Sequence, residues 1–276
     1  MIDRLKNSCS IRRKCLILGV RRQTYYSRKA GNRPEQEDVW IAEVLQSVVG
    51  QFISWGFWMC FHYLRKQGYT WNHKRVYRVW KQEELHLRKV PKRKKIKREY
   101  LDLLAPEKVN EGWSMDFLSD WVVGQNQQKV RIINVMDDCS RKALWTEAHE
   151  SISASKLIDV LDKIVAWRGL PSYIRCDNGP EFISDKLAEW AKDKVEIRFI
   201  QPGKPSQNGL VERLNGTLRK ECLNLEWFES IEVLNEQIQQ WWGIYNTIRP
   251  HSSISYLTPD EFEEQNEKFY LKTVAA

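Results

Sequence analysis

Three acidic residues stand far apart in this chain of 276 residues: Asp116 in the stretch GWSMDFLSD, Asp177 in YIRCDNGPEF and Glu212 in PSQNGLVERLNGTLRKECLNL. The first two stretches read as short strands carrying an Asp near the end, the third as an amphipathic helix. Carboxylates are hard oxygen donors, and three of them are what a two-metal phosphoryl-transfer site requires. Two divalent ions about 4 Å apart share the ligands, clamp the attacking and leaving oxygens, and are neutralised by the acidic donors. Magnesium is the natural occupant of both positions, with manganese as a substitute. Asn178 and Gly179 form a turn directly after Asp177, where the backbone can approach a substrate closely. Asp120, Asp137, Asp138 and Glu181 are competing acids; each reads most simply as a solvated or turn residue, with Glu181 the next to consider.

An isolated Glu on an amphipathic helix is ordinarily a solvated surface charge, so the elements around it decide its meaning. Val211, Leu214, Leu218 and Cys222 make an apolar stripe, and Glu212, Asn215, Gly216 and Arg219 fall on the adjoining polar face. That spacing puts the carboxylate at the rim of a core. Ser206 or Asn208 is placed to cap the helix start. Upstream, strand-like runs at 112–120, 129–137 and 143–148 precede a helix at 153–168, a strand at 173–176, a helix at 185–194 and a strand at 195–200. The order predicts a mixed five-stranded α/β sheet with helices on its faces. A further helix at 232–247 ends at the breaker Arg249-Pro250.

The charge is unevenly spread. Residues 1–100 hold 24 Lys and Arg against 8 Asp and Glu, whereas the remaining 176 hold 20 against 28. A basic first third calls for a polyanion, and double-stranded DNA is the natural one. A helix at 11–18, a turn at Gly19 and a second helix from Arg22 fit a helix-turn-helix over 1–30, with Arg21, Arg22 and Gln23 reaching DNA. A second helical DNA-binding module spans 35–87. Its helices are expected at 39–49, at 55–67 closed by Gly68, and at 74–82 capped by Asn72, with Lys74, Arg75 and Arg78 as its basic side. RKVPKRKKIKR then opens a basic linker over 88–108, where Lys92, Arg93, Lys94 and Lys95 are placed to meet phosphates. The α/β core takes 109–230, and 231–276 form a C-terminal helix and tail. No stretch approaches the roughly 18–20 apolar residues of a membrane span. The six cysteines are scattered without metal-site spacing, so a cytoplasmic, nucleoid-associated protein with reduced thiols is expected.

WSMDF, DDCSR, RCDNGPEF, FIQPGKPSQNGLVERLNGTLRKECL and WWGIYNTIRPHSSISYLTPDEF together resemble the retroviral-integrase-like DDE transposases of bacterial insertion sequences, of the OrfB type. The likeness runs from about Ser8 to Phe262. It implies a ribonuclease-H-like core, Mg2+ at Asp116, Asp177 and Glu212, and a basic partner for Glu212 at Arg219. Asn208 matches a position near the site in that family. It also implies oligomerisation on DNA and a longer active form fused to the product of an upstream frame. One departure is local: 34 residues separate Asp177 from Glu212, one fewer than usual there, and the missing residue falls around 193–195. The expected function is a DNA transposase that binds terminal inverted repeats, cuts strands and joins a 3′-hydroxyl to a new phosphodiester. The alternative is a catalytically inactive DNA-binding remnant or regulator of transposition.

Overall fold

The computed structural model describes residues 10–17, 19–23, 35–87, 106–124, 127–201 and 205–274. They group into two compact units, Met1–Gln51 with Trp71–His86, and Phe52–Thr70 with Leu87–Ala276. In the first, α1 (Ile11–Ile17) ends in a turn at Gly19, whose φ of +61° favours glycine. The second helix expected from Arg22 onward lies mostly outside the described residues, as do Lys92, Arg93, Lys94 and Lys95. Helix α2 (Glu35–Gln51) is in contact with the later α4 (His73–Gln82); Ile41, Leu45 and Val48 on one and Val76, Val79 and Trp80 on the other are buried. Between them in sequence, α3 (Phe57–Lys66) groups with the second unit. Asn72 caps α4, its Oδ1 accepting the Lys74 N–H at 2.9 Å.

The second unit is built on a sheet of order β3-β2-β1-β4-β5, formed by β1 (Gly112–Val123), β2 (Gln127–Asp137), β3 (Ala143–His149), β4 (Tyr173–Cys176) and β5 (Glu196–Phe199). β2 runs antiparallel to both β1 and β3, while β4 pairs in parallel with β1 and with β5. This is the ribonuclease-H-like arrangement. The two faces bury different sets of side chains, as the period of two requires. Ile133 and Val135 pack with Leu157, Val160 and Ile164 of α5 (Ala154–Arg168) and Leu187 of α6 (Asp185–Ala191). Val130 and Ile132 pack with Val211, Leu214 and Leu218 of α7 (Gly209–Leu218) and Leu234, Ile238 and Trp241 of α8 (Ile231–Thr247). Between α6 and β5 the turn is tight, with Asp193 at φ +58°. No helix among the described residues is long and apolar enough to cross a membrane.

Two expectations are corrected. Residues after 258 do not form a tail: α9 (Pro259–Val274) starts there, and Thr258 and Glu261 cap it reciprocally, Thr258 N–H donating to Glu261 Oε2 at 2.7 Å and Glu261 N–H to Thr258 Oγ1 at 3.2 Å. This is a capping box with proline in the first turn. Asp137 and Asp138 are not solvated but fully buried. Asp137 accepts the Cys139 and Ser140 N–H groups in a turn and meets Arg168 Nη2 at 3.2 Å, while Asp138 meets Arg175 Nη1 at 3.3 Å. Arg168 also pairs with Glu263 of α9, which binds Lys142 Nζ at 3.0 Å.

Burial alone would raise the Glu263 carboxyl, yet Arg168 and Lys142 outweigh it and hold it below the usual carboxylate range. A depressed folded-state pKa contributes stability that is present above the unfolded value of about 4.3 and lost as pH falls through the folded one. Glu263→Gln is therefore expected to lower stability by about 3–5 kcal/mol at pH 7 and by less in acid. Thermal melts of both proteins from pH 7 to pH 3 check this; parallel curves would rule it out.

Candidate active site

The parallel register of β1 with β4 sets Ser114 opposite Arg175. Two residues further along each chain, on the same faces, come Asp116 and Asp177, with strands spaced about 4.8 Å apart. Asp177 is the first residue beyond β4, as expected, but Asp116 sits in the interior of a twelve-residue strand rather than near its end. Opposite Asp116 on β2 is Asn134. Behind this edge, Phe117 stacks on Phe182 with centroids 4.5 Å apart and planes 4° from parallel. Arg131 lies 4.5 Å over the Phe117 ring and pairs with Glu181. The competing acid Glu181 is thus committed to a cation, which holds its carboxyl below the usual range through the Arg131 hydrogen bond.

Helix α7 carries Glu212 along β1. Asn208, Glu212, Asn215 and Arg219 recur at steps of four, three and four, one stripe of a helix. Three of them are fastened to the strand. Asn208 Nδ2 donates to the Met115 carbonyl at 3.2 Å, Asn215 Nδ2 to Asp116 Oδ2 at 2.8 Å, and Arg219 Nη2 to the Ser119 carbonyl at 3.0 Å. Arg219 Nη1 also lies 3.7 Å from Asp120. The structure therefore ties the expected partner of Glu212 to β1 instead. Asn208 stands at the helix start but makes no capping hydrogen bond, and its Oδ1 is buried without a partner. The helix continues past Leu218 into a π-helical turn, Arg219–Leu223.

Asp116 is oriented by two donors, its own neighbour Phe117 N–H at 2.8 Å and Asn215. Asn215 Oδ1 in turn accepts from Asn134 Nδ2 at 2.7 Å, so a buried amide relay runs from β2 through α7 to the carboxylate. Desolvation first, then the charges of Asp177 and Glu212, push Asp116 up to about 6 against the two hydrogen bonds. Asp177 Oδ1 accepts the Gly179 N–H at 2.9 Å, and a Cβ at Gly179 would stand 3.0 Å from that oxygen, so a side chain there would press on Asp177. Asn178, exposed, donates to the Ile200 carbonyl at 2.9 Å and ties the turn to the end of β5.

Glu212 reaches the same region from an exposed position, close enough for its charge to act on Asp116. Among the described residues, no three acidic, histidine or cysteine side chains stand close enough to hold a metal ion. The three acids expected from the sequence therefore share one region without forming a closed ligand cluster. The donor set itself fits a hard divalent cation: three carboxylates, none in a salt bridge with a described cation. Among the DNA-contact candidates, Arg21, Arg22, Gln23 and Lys74 are exposed. Arg75 instead pairs with Glu37 and with Asp38 at 2.7 Å, and Arg78 with Asp38, which neutralises part of that basic side. Sequence reasoning missed Asn134, Asn215 and Phe117 as site-forming residues; a polar Asn inside the apolar run RIINVMD was the available signal.

A carboxyl raised in the folded state costs stability as pH climbs from its unfolded value of about 3.9 toward the folded one. In chelator, the protein is expected to lose stability between about pH 4 and pH 6, and Asp116→Asn to remove that loss and gain about 1–2 kcal/mol at pH 7. Denaturant melts of the two proteins across this range are the check. A variant no more stable at pH 7, with an unchanged pH profile, would contradict the repulsion.

Two family models, each described as an integrase core domain, match residues 106–205 and 193–259. The chain is 34% identical over 261 residues to an uncharacterized 31.7 kDa protein of insertion element IS407 from Burkholderia multivorans, covering 94% of this chain and 92% of that one. It is 24% identical over 237 residues to the transposase InsD of insertion element IS2 from Escherichia coli, covering 80% and 77%. Among solved structures, the HTLV-2 integrase catalytic core domain in complex with magnesium aligns over 56% of this chain and 96% of that one, with 20% identity and a TM-score of 0.42. With the sheet order and the sequence likeness in agreement, the chain belongs to the insertion-element transposases with an integrase-type core, DDE enzymes of the polynucleotidyl transferase class.

Proposed function

We propose that this chain binds the ends of a mobile DNA element, cuts strands there and joins a 3′-hydroxyl to target DNA, with Asp116, Asp177 and Glu212 as the catalytic residues. The observation that carries the reading is the uncompensated negative charge at Asp116, held beside Asp177 and overlooked by Glu212. Those three side chains would hold magnesium, which supplies charge neutralisation and Lewis acidity at the scissile phosphate; manganese is a possible substitute, and two ions match the chemistry best. Phe117 N–H and Asn215 fix the direction of the Asp116 carboxylate, and Asn134 fixes Asn215. The turn at Asn178 and Gly179 fixes Asp177, whose Oδ1 accepts the Gly179 N–H at 2.9 Å. Water, for cleavage, or a 3′-hydroxyl, for joining, attacks phosphorus in line, and the opposite P–O bond breaks with its oxygen leaving, so no covalent enzyme intermediate is needed.

The basic N-terminal residues supply DNA contacts: Arg21, Arg22, Gln23, Lys74 and the exposed Arg78, together with Lys92, Arg93, Lys94 and Lys95 of the linker. Asn208 and Arg219 act at the site by pinning α7 to β1. Self-association on paired DNA ends, and action as a fusion with an upstream-frame product, belong to the same reading. A second reading, a DNA-binding protein without catalysis, is favoured by the exposed Glu212 and the open cluster.

Oligonucleotide ends with Mg2+ separate the two readings. The wild type is expected to give cleaved and joined products, and Asp116→Asn to lose at least about a hundredfold in rate while gel-shift binding stays within about twofold. Mg2+ is also expected to raise the melting temperature of the wild type and not of Asp116→Asn. Binding without any product in the wild type would establish the second reading.

A further inference from the structure

Arg213, the residue after Glu212 in α7, opens instead on a cavity of about 310 Å3 lined in part by Trp58, Thr217, Arg249, Ser253 and Tyr256. We propose that this cavity takes an unpaired nucleotide of a DNA end, with its phosphate on Arg213 and its base against Trp58 and Tyr256. The proposal rests on the reading of the chain as a DNA-cutting enzyme and deepens it by naming the form of DNA the site admits.

Charge is the first argument. Arg213 is exposed, and no described carboxylate pairs with it. Its neighbours are already engaged: Arg249 binds Glu221 through contacts of 2.9–3.0 Å, and Arg141 donates to the Asp138 carbonyl. All three guanidiniums act on the buried phenol of Tyr245 in the cavity wall, with Glu221 opposing them. His251, also in the wall, is buried, and its Nε2 lies 3.1 Å from the Tyr245 carbonyl; burial and the Arg249, Lys66 and Arg141 charges keep its ring neutral. The positive potential there comes from arginine and does not change across the physiological pH range. An unpaired guanidinium among paired ones is a phosphate receptor in waiting.

Shape is the second. Trp58 leaves 49% of its surface open. Tyr256 is held by a loop that the backbone strains to make: Ser255 and Tyr256 take φ of +58° and +61° in succession, a conformation that non-glycine residues adopt only when their surroundings impose it. The loop is closed by a bridge from His251 N–H to the Leu257 carbonyl at 3.0 Å and by Tyr256 N–H to the His251 carbonyl at 2.8 Å. The Tyr256 ring stacks on His62 at 3.8 Å and 12°. A rigid aromatic beside a free cation, in a cavity at the lower end of the about 300–1,000 Å3 of small-molecule pockets, suits one nucleotide. A base inside a duplex is stacked on its neighbours and cannot enter; one in a single-stranded tail can.

The full chain should be titrated with a fluorescent blunt duplex and with the same duplex carrying a short single-stranded tail. The tailed duplex is expected to bind about tenfold more tightly. Arg213→Ala and Trp58→Ala should each bring it back to the blunt value and leave blunt binding unchanged, while Arg213→Lys retains part of the preference. Should Trp58→Ala lower the melting temperature, Arg213→Ala, at an exposed position, decides alone. Equal binding of the two duplexes by the wild type, or a preference that survives Arg213→Ala, overturns the proposal. Failure of the wild type to bind either duplex would remove the DNA reading itself, and this one with it.

Discussion

The burial of one carboxylate, Asp116, in a fixed direction is the constraint around which the candidate site is arranged. Asp116 is desolvated, feels two other carboxylates, and still points in one defined direction. A lone buried carboxylate would ordinarily turn away or take up a proton. Here it is held by a backbone N–H and by an amide whose own oxygen is engaged, so each donor that orients the acid is itself oriented. The same amide helix is fastened to β1 above and below that point, which leaves Glu212 as the member of the stripe free to move. The arrangement is rigid where direction matters and open where a ligand has to arrive.

Much of the architecture was legible because its signals were local. β4 is reproduced residue for residue at Tyr173–Cys176, and the helix over Ala154–Arg168 starts behind its Ser153 cap, where the apolar spacing begins. The mixed sheet followed from the alternation of strand and helix runs. What escaped was of two kinds. The capping box at Thr258 to Glu261 was present in the letters but sat in a polar stretch with little apolar periodicity, so the helix it starts went unread. The length of β1 escaped because its outer half alternates buried and exposed residues and grades into a hairpin.

For the candidate site, the sequence proposed three acids but not what aims Asp116. Asp116 and Asp177 are neighbours through strand register, which no single stretch displays. Asn215 looked like part of a polar helix face, whereas tertiary contact makes it a buried link between two strands. Arg75 shows the reverse error: a basic residue on a basic helix invites a DNA reading until the acids of another helix, Glu37 and Asp38, are seen to engage it. Charge counted along a chain overstates the charge a surface presents.

The ion network at the base of the sheet ties the core to the chain's last helix. Arg168 and Lys142 find their carboxylates on α9, at Glu263 and, for Lys142 at 2.8 Å, Asp260. During synthesis these acids leave the ribosome after every described strand has emerged, so the core is electrostatically incomplete until α9 follows. A message cut short just before α9 would encode Asp116, Asp177 and Glu212 and yet a core in which Lys142 is stranded and Arg168 keeps only Asp137. Helix α9 thereby acts as an electrostatic latch on a sheet that precedes it in the chain.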